Sequence, residues 1–354
     1  MTKQGWRLSN DDWSEWIESL LRSGRRVVAP ADQGDSLRLF RPVASVSEIA
    51  VEEYDNTRWS PKEYLFPTTE TLFSYTYAGN SVHIDDPSMD QQGQVLIGVR
   101  PCDAAGLSRL DDVFLGDVED PFHADRRERT VVVSLACSSS LPQCFCTAVG
   151  GSPQGTDGSD IQLIQNDGAW LLSPVTPRGE ELLADATGGW TEATDDDWAA
   201  ADQLKMTVEN SIEGNEIPLE WASALEKTFP DDVWKTLGER CLSCGICAYV
   251  CPSCSCFDMS DEGNAYCGER CRSWDSCTFA QFTQHSTGHN PRSNQPERYR
   301  QRIMHKFAYF PLDQGDNFMC VGCGRCTALC PVGLDIRSSV LTAVSSAAPV
   351  GDGS

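Results

Sequence analysis

Two short stretches near the C-terminus decide how this part of the chain folds: CLSCGICAYVCP at 241–252 and CVGCGRCTALCP at 320–331. Each holds four cysteines in the spacing C-x2-C-x2-C-x3-C, and each ends in proline. The first three thiolates of such a run hold three corners of one cuboidal cluster, and the fourth turns toward the other cluster. The paired motifs therefore predict two 4Fe–4S clusters, arranged as in a bacterial two-cluster ferredoxin.

The crossover of the fourth cysteine predicts which thiolates bind the iron of each cluster. The alternative is zinc in a structural or interaction module, because zinc also takes four thiolates. Zinc ribbons need only paired CxxC knuckles, however, and leave two complete four-cysteine runs ending in proline unexplained. The predicted ligands are Cys241, Cys244, Cys247 and Cys330 for the first cluster, and Cys320, Cys323, Cys326 and Cys251 for the second.

The N-terminal part shows a strand–helix–strand pattern. QVLIGV at 94–99 and TVVVSLA at 130–136 are short apolar runs typical of strands covered on both faces, and 104–114 between them has helical periodicity. This pattern predicts an α/β domain with a partly parallel sheet, and such sheets bind ligands at the carboxyl ends of their strands. We expect a third 4Fe–4S cluster there; the alternative is four free buried thiols. The candidate ligands at these strand ends are Cys102, Cys137, Cys144 and Cys146.

We expect an α+β protein of two domains. The α/β domain is predicted to span 1–218, and the cluster motifs fall in 219–354. The 68 residues between the motifs, 252–319, exceed what a small ferredoxin uses, and TFAQFTQH at 278–285 favours a helix. The C-terminal domain is therefore expected to be a helical two-cluster ferredoxin domain.

Composition excludes several classes of function. A net charge of −24 disfavours nucleic acid and anionic membrane as partners, and no apolar run approaches the roughly 18 residues of a membrane span. The 17 cysteines lie only within 102–146 and 241–330, as metal ligands in a reducing compartment do. We therefore expect a cytoplasmic protein. No G-x-G-x-x-G or P-loop pattern occurs, so nucleotide binding by this chain is not expected.

The chain resembles one family, the iron–sulfur beta subunit of soluble NAD(P)-linked NiFe hydrogenases (sulfhydrogenases). The match extends over about 60–337, and seven segments carry it. That family also includes the iron–sulfur electron-transfer subunit of anaerobic sulfite reductase, and the segments GVRPCD and CFCTAVGGSP are closer to the hydrogenase branch. The segments are GVRPCDAAGLSRLDDVF, CFCTAVGGSP, CPSCSCFDMSD, WDSCTFAQF, TGHNPR, MHKFAYF and CVGCGRCTALCPVGLDI.

The resemblance implies an electron-transfer subunit without catalytic residues of its own. It implies partners: a flavin subunit that binds NAD(P)H, and NiFe hydrogenase small and large subunits, or a sulfite reductase catalytic subunit in their place. It also implies cysteine ligands at the four N-terminal positions given above. A catalytic iron–sulfur enzyme with an open iron is a further alternative, which substrate-dependent changes in the EPR spectrum would distinguish from a relay.

Two features fall outside the predicted ligand sets. Five additional thiols suggest either a further metal site or reduced cysteines packed around the clusters, and the second interpretation is favoured. The segment 289–306 is rich in cations in an acidic chain, which indicates charges beside the clusters, a docking site for an acidic partner, or pairing with the protein's own carboxylates. The additional thiols are those of Cys254, Cys256, Cys267, Cys271 and Cys277.

Overall fold

A computed structural model of the chain describes residues 4–34, 37–52, 54–166, 168–184, 189–214, 216–315 and 317–347. The strands are β1 (Trp6–Leu8), β2 (Arg26–Asp32), β3 (Arg38–Pro42), β4 (Thr69–Ala78), β5 (Ser81–Asp85), β6 (Gln94–Val99), β7 (Thr130–Leu135), β8 (Ile161–Asn166), β9 (Ala169–Pro174), β10 (Thr191–Glu192), β11 (Phe257–Gly263) and β12 (Cys267–Trp274). The helices are α1 (Asn10–Arg22), α2 (Pro101–Phe114), α3 (Pro121–Glu128), α4 (Pro177–Ala184), α5 (Asp195–Ser211), α6 (Trp221–Lys227), α7 (Val233–Gly238), α8 (Ile246–Tyr249), α9 (Gln295–Met304), α10 (Phe310–Gln314), α11 (Arg325–Ala328) and α12 (Ile336–Ala347).

The chain forms two compact units, and each is assembled from separate stretches of sequence. The first unit comprises 1–62, 91–216 and 320–324, and the second unit comprises 63–90, 217–319 and 325–354. One change of unit, at 216/217, falls beside the predicted boundary at 218/219. Two segments do not follow a single boundary at that point: 63–90 belongs to the second unit, and 320–324 belongs to the first.

A mixed sheet forms the centre of the first unit. Over the described residues its strand order is β10-β1-β9-β8-β7-β6-β2-β3, and the run β2, β6, β7 and β8 is parallel. Every residue of β6 and β7 is buried, which is why both strands read as continuous apolar runs rather than as alternating patterns. The predicted α/β arrangement with a partly parallel sheet is confirmed.

The side chain of Arg100 bridges the carboxyl ends of the paired strands β6 and β7. Arg100 follows β6 and is buried, and it donates hydrogen bonds to the carbonyl oxygens of Leu135 and Ala136, at 3.3 and 2.9 Å. Helix α2 then begins directly at Pro101, because proline lacks the amide that the first turn of a helix leaves unpaired. The helix predicted at 104–114 is confirmed and starts three residues earlier.

The second unit combines short helices with an antiparallel sheet. Helices α7 and α12 pack against α9, and the sheet order is β11-β12-β4-β5 within the residues described. The expectation of a helical domain did not include this sheet, whose two halves lie about 200 residues apart in the sequence. On β12, Arg272 forms a buried ion pair with Glu70 of β4.

The helix predicted at 278–285 is wrong. This segment forms turns, because side chains take the hydrogen bonds that a helix would need. Ser276 Oγ accepts from the backbone amide of Thr278 at 3.2 Å, and Asn290 Nδ2 donates to the carbonyl of Ala280 at 2.6 Å. None of the helices in the described ranges combines the length and the apolar character that a bilayer-spanning segment requires.

Candidate metal centres

The first cysteine motif folds as a loop that leads into the one-turn helix α8. Ser243 (φ 54°) and Gly245 (φ 77°) are both left-handed, which curls the loop tightly enough to turn its thiols inward. A Cβ on Gly245 would lie 2.5 Å from the ring of Phe279, so the position of that ring excludes any residue other than glycine. The loop geometry therefore follows from the two positive φ angles and from the ring of Phe279.

A pocket lies over this loop, within the second unit. Its lining includes all four thiols predicted for the first cluster, and Cys326 as well. The pocket thus brings the first predicted ligand set together and adds a fifth thiol beside it. Its cysteines are Cys241, Cys244, Cys247, Cys326 and Cys330.

A buried guanidinium faces the same pocket. Arg302 is 3% exposed and lines the pocket, and its Nη2 has no hydrogen-bond partner in the described part of the chain. Its Nη1 donates to Cys254 Sγ at 3.7 Å. Burying an unpaired cation raises the free energy of the folded protein, and a negative group in the pocket would offset that cost. A 4Fe–4S cluster bound by four thiolates is such an anion, and the residues present therefore fit it.

The Cys247 thiol of this pocket is neutral until metal binds. Burial raises the pKa of the Cys247 thiol to about 11, although Arg302 opposes that shift. Because iron binds the thiolate, cluster assembly must displace this proton. At Cys247 the negative charge therefore appears when the metal binds.

The second predicted ligand set is distributed between the units. Cys320 and Cys323 belong to the first unit, whereas Cys251 and Cys326 belong to the second. Within the second unit, Lys306 Nζ donates to Cys251 Sγ at 3.4 Å and to Ser253 Oγ at 3.1 Å. The assignment of these four thiolates to one cluster stays a prediction from their spacing.

Three of the four N-terminal cysteines interact in the first unit. Burial raises the pKa of Cys137, and it raises the pKa of Cys146 to about 12, with the neighbouring Cys137 and Cys144 adding to the shift of Cys146. Cys102 lies in the first turn of α2, next to the end of β6. Strands β6 and β7 are parallel neighbours, so all four positions follow adjacent strand ends.

The loop that carries Cys144 and Cys146 packs against part of the second motif, inside the first unit. Phe145 N donates to Gly322 O at 2.9 Å, and a Cβ on Gly322 would lie 2.5 Å from the backbone of Cys146. A Cβ on Gly324 would lie 2.4 Å from the carbonyl of Gln143. The sequence analysis did not predict this contact. The feature of the sequence that could have indicated it is the pair of glycines, Gly322 and Gly324, within the second motif.

Of the five additional cysteines, Cys254 contacts a predicted cluster ligand. Cys254 hydrogen-bonds Cys251 and lowers the pKa of that thiol, an effect that Lys306 and Arg302 reinforce. Cys277 hydrogen-bonds Cys256 and is buried, as is Cys271, while Cys267 is exposed. Among the residues described, no three or more His, Cys, Asp and Glu side chains are grouped to hold a single metal ion.

The fold and the cysteine sites define an iron–sulfur protein with a ferredoxin-type domain. Residues 240–334 match the family of the 4Fe–4S dicluster domain, which places two 4Fe–4S clusters in that region.

The chain is also 30% identical, over 331 residues, to sulfhydrogenase 2 subunit beta of Pyrococcus furiosus. The similarity covers 93% of this chain and 95% of that relative. The chain belongs to the family of sulfhydrogenase beta subunits, as the sequence segments predicted, and it is an iron–sulfur electron-transfer subunit.

Proposed function

We propose that this chain passes electrons one at a time between a flavin subunit that binds NAD(P)H and a NiFe catalytic module, in the cytoplasm. Iron–sulfur clusters exchange single electrons, whereas NAD(P)H delivers a hydride, so a flavin must divide the electron pair. The observation that carries the proposal is the similarity along 93% of the chain to a subunit of a hydrogenase complex. No residue of this chain is assigned a catalytic role.

The ligand assignment is part of the proposal. The eight C-terminal cysteines would hold the two clusters of the dicluster domain in the crossed sets predicted from spacing. Support comes from the pocket that gathers the first set and from the unpaired Arg302 Nη2 that faces it. The clusters supply one-electron redox chemistry; the chain's residues bind them, exclude water and fix nearby charge.

We also propose a third 4Fe–4S cluster on the N-terminal cysteines. The mutual electrostatic interaction of Cys137, Cys144 and Cys146 and the position of Cys102 at the neighbouring strand end support it. The contact between Gly322 and Cys146 suggests a route for electrons from this third cluster to the second motif. The route is short because the two cysteine loops share a backbone hydrogen bond.

Anaerobic purification of the tagged chain from its native host tests the proposal. We expect a flavin subunit and a NiFe subunit in the complex, and about twelve irons in this chain with three clusters, or about eight with two. Recovery with a sirohaem subunit would instead assign the chain to a sulfite reductase. A colourless, zinc-rich chain without a reducible paramagnetic centre would refute the electron-transfer role altogether.

A further inference from the structure

Three buried cations form a row along one face of α9 and the π-helical turn that continues it, His305–Tyr309. Arg298, Arg302 and Lys306 are four residues apart, a spacing that stacks side chains on one helix face. They are 6%, 3% and 2% exposed. We call these three residues the cation row.

Each member of the cation row contacts a different part of the cysteine-rich segment in the second unit. Arg298 Nη2 donates to Ser243 Oγ at 3.5 Å, inside the first motif. Arg302 lines the pocket of the first predicted ligand set, and Lys306 Nζ lies 3.4 Å from Cys251 Sγ, a predicted ligand of the second cluster. The row therefore runs along both predicted sets of thiols.

The two arginines of the row do not neutralise carboxylates of the protein. Over the described residues, neither Arg298 nor Arg302 forms an ion pair with a carboxylate, although the chain carries an excess of 24 negative charges. Burying an unpaired guanidinium costs several kcal/mol, and the neutral Cys247 thiol beside Arg302 does not offset that cost. Burial also prevents these side chains from docking a partner. For Arg298 and Arg302, therefore, one of the three interpretations of segment 289–306 remains: charges beside the clusters.

We propose that Arg302 and Lys306 are positioning residues that raise the reduction potentials of the two clusters, Arg302 acting on the first and Lys306 on the second. Reduction adds one negative charge to a cluster, and a buried cation stabilises that added charge strongly because the surroundings are of low dielectric constant. Removing either cation favours the oxidised cluster. This inference rests on the ligand sets of the proposed function.

The test is an EPR-monitored redox titration of the anaerobically purified full-length chain and its variants. We expect Arg302→Gln to lower the reduced-to-oxidised ratio of one cluster about tenfold at fixed potential, which is about 59 mV for a one-electron couple. Lys306→Gln should do the same to the other cluster. Arg302→Lys should retain the wild-type ratio within about threefold, because it keeps the charge.

Arg300→Gln is the matched control. Arg300 lies on the same helix but stacks on Phe229, with 3.7 Å between the guanidinium carbon and the ring centroid, and it does not line the pocket. Its loss should change both ratios less than twofold, although it removes the same charge.

The outcomes separate this inference from the proposed function. Unchanged ratios in Arg302→Gln and Lys306→Gln at wild-type iron content would overturn it, as would a shift of one and the same cluster by both variants. Loss of iron in both Arg302→Gln and Arg302→Lys would make the residue structural and overturn the tuning role. A wild-type chain without a reducible centre would instead defeat the proposed function.

Discussion

Replacing Gly322 by alanine should destabilise the first unit, and the structure gives the size of the effect. Gly322 has φ 66°, and a Cβ there would lie 2.5 Å from both Cys146 N and Cys146 Cα. A left-handed alanine costs about 1–2 kcal/mol. Overpacking against backbone, which cannot rotate away, adds about 1–3 kcal/mol. The free energy of unfolding should therefore fall by about 2–5 kcal/mol.

Gly150→Ala separates these two contributions. Gly150 belongs to the same unit and has φ 80°, but a Cβ there meets nothing within 4 Å. It should cost only the left-handed conformation, about 1–2 kcal/mol. The two variants should then differ by about 1–3 kcal/mol, or about 2–12 °C in melting temperature for a unit of this size.

The assay is anaerobic thermal unfolding followed by circular dichroism, with iron content measured on the same samples. One scan rate must be used for all variants, because cluster loss makes the apparent melting temperature depend on rate. Gly322→Ala should melt lower than Gly150→Ala. Equal melting temperatures would show that the loops at 143–146 and 320–324 do not pack as described, and the reasoning would be refuted.

Three further outcomes are expected. Cys244→Ala should lose about four irons per chain, whereas Cys267→Ala, outside the predicted sets and exposed, should lose none; equal losses would contradict the ligand assignment. Cys146→Ala should lower the iron content from about twelve to about eight, and a wild-type value of eight would remove the third cluster. Burial and then Lys306 lower the pKa of His305 to about 4, so between about pH 6.5 and 4 only the unfolded state gains this proton. Acidification through that range should lower the free energy of unfolding, measured by urea titration, by up to about 3 kcal/mol. His305→Gln should flatten this pH dependence. An unchanged pH profile in the variant would show that His305 is not its source.

Sequence patterns predicted the elements whose chemistry is local. The runs at 94–99 and 130–136 are apolar at every position but one or two, and a strand buried on both faces is the simplest interpretation of such a run. The cysteine motifs predicted their clusters for a related reason. Three thiolates of one loop bind three irons of the same cuboidal cluster, so the size of that cluster fixes their spacing in the sequence. In both cases the residues that decide the outcome are neighbours in the chain.

Long-range features escaped prediction because nothing local encodes the partner. Strand β4 pairs with β12 across about 200 residues, and neither strand is apolar enough to indicate a buried partner. The segment 278–285 looked helical from its apolar spacing, but Asn290, beyond that segment, supplies the hydrogen bond that holds it in a turn. The cations of 289–306 were visible, but their burial depends on how α9 packs.

Residues 320–324 belong to the unit that contains the first 62 residues. During synthesis, therefore, the first unit cannot be completed until residues 320–324 have been made. The carbonyl of Gly322, which accepts a hydrogen bond from the Phe145 amide, leaves the ribosome some 180 residues after Phe145. Domains usually fold in the order in which they are made. Here the N-terminal unit is completed only after most of its neighbour has been translated, so no single cut in the gene yields either unit intact.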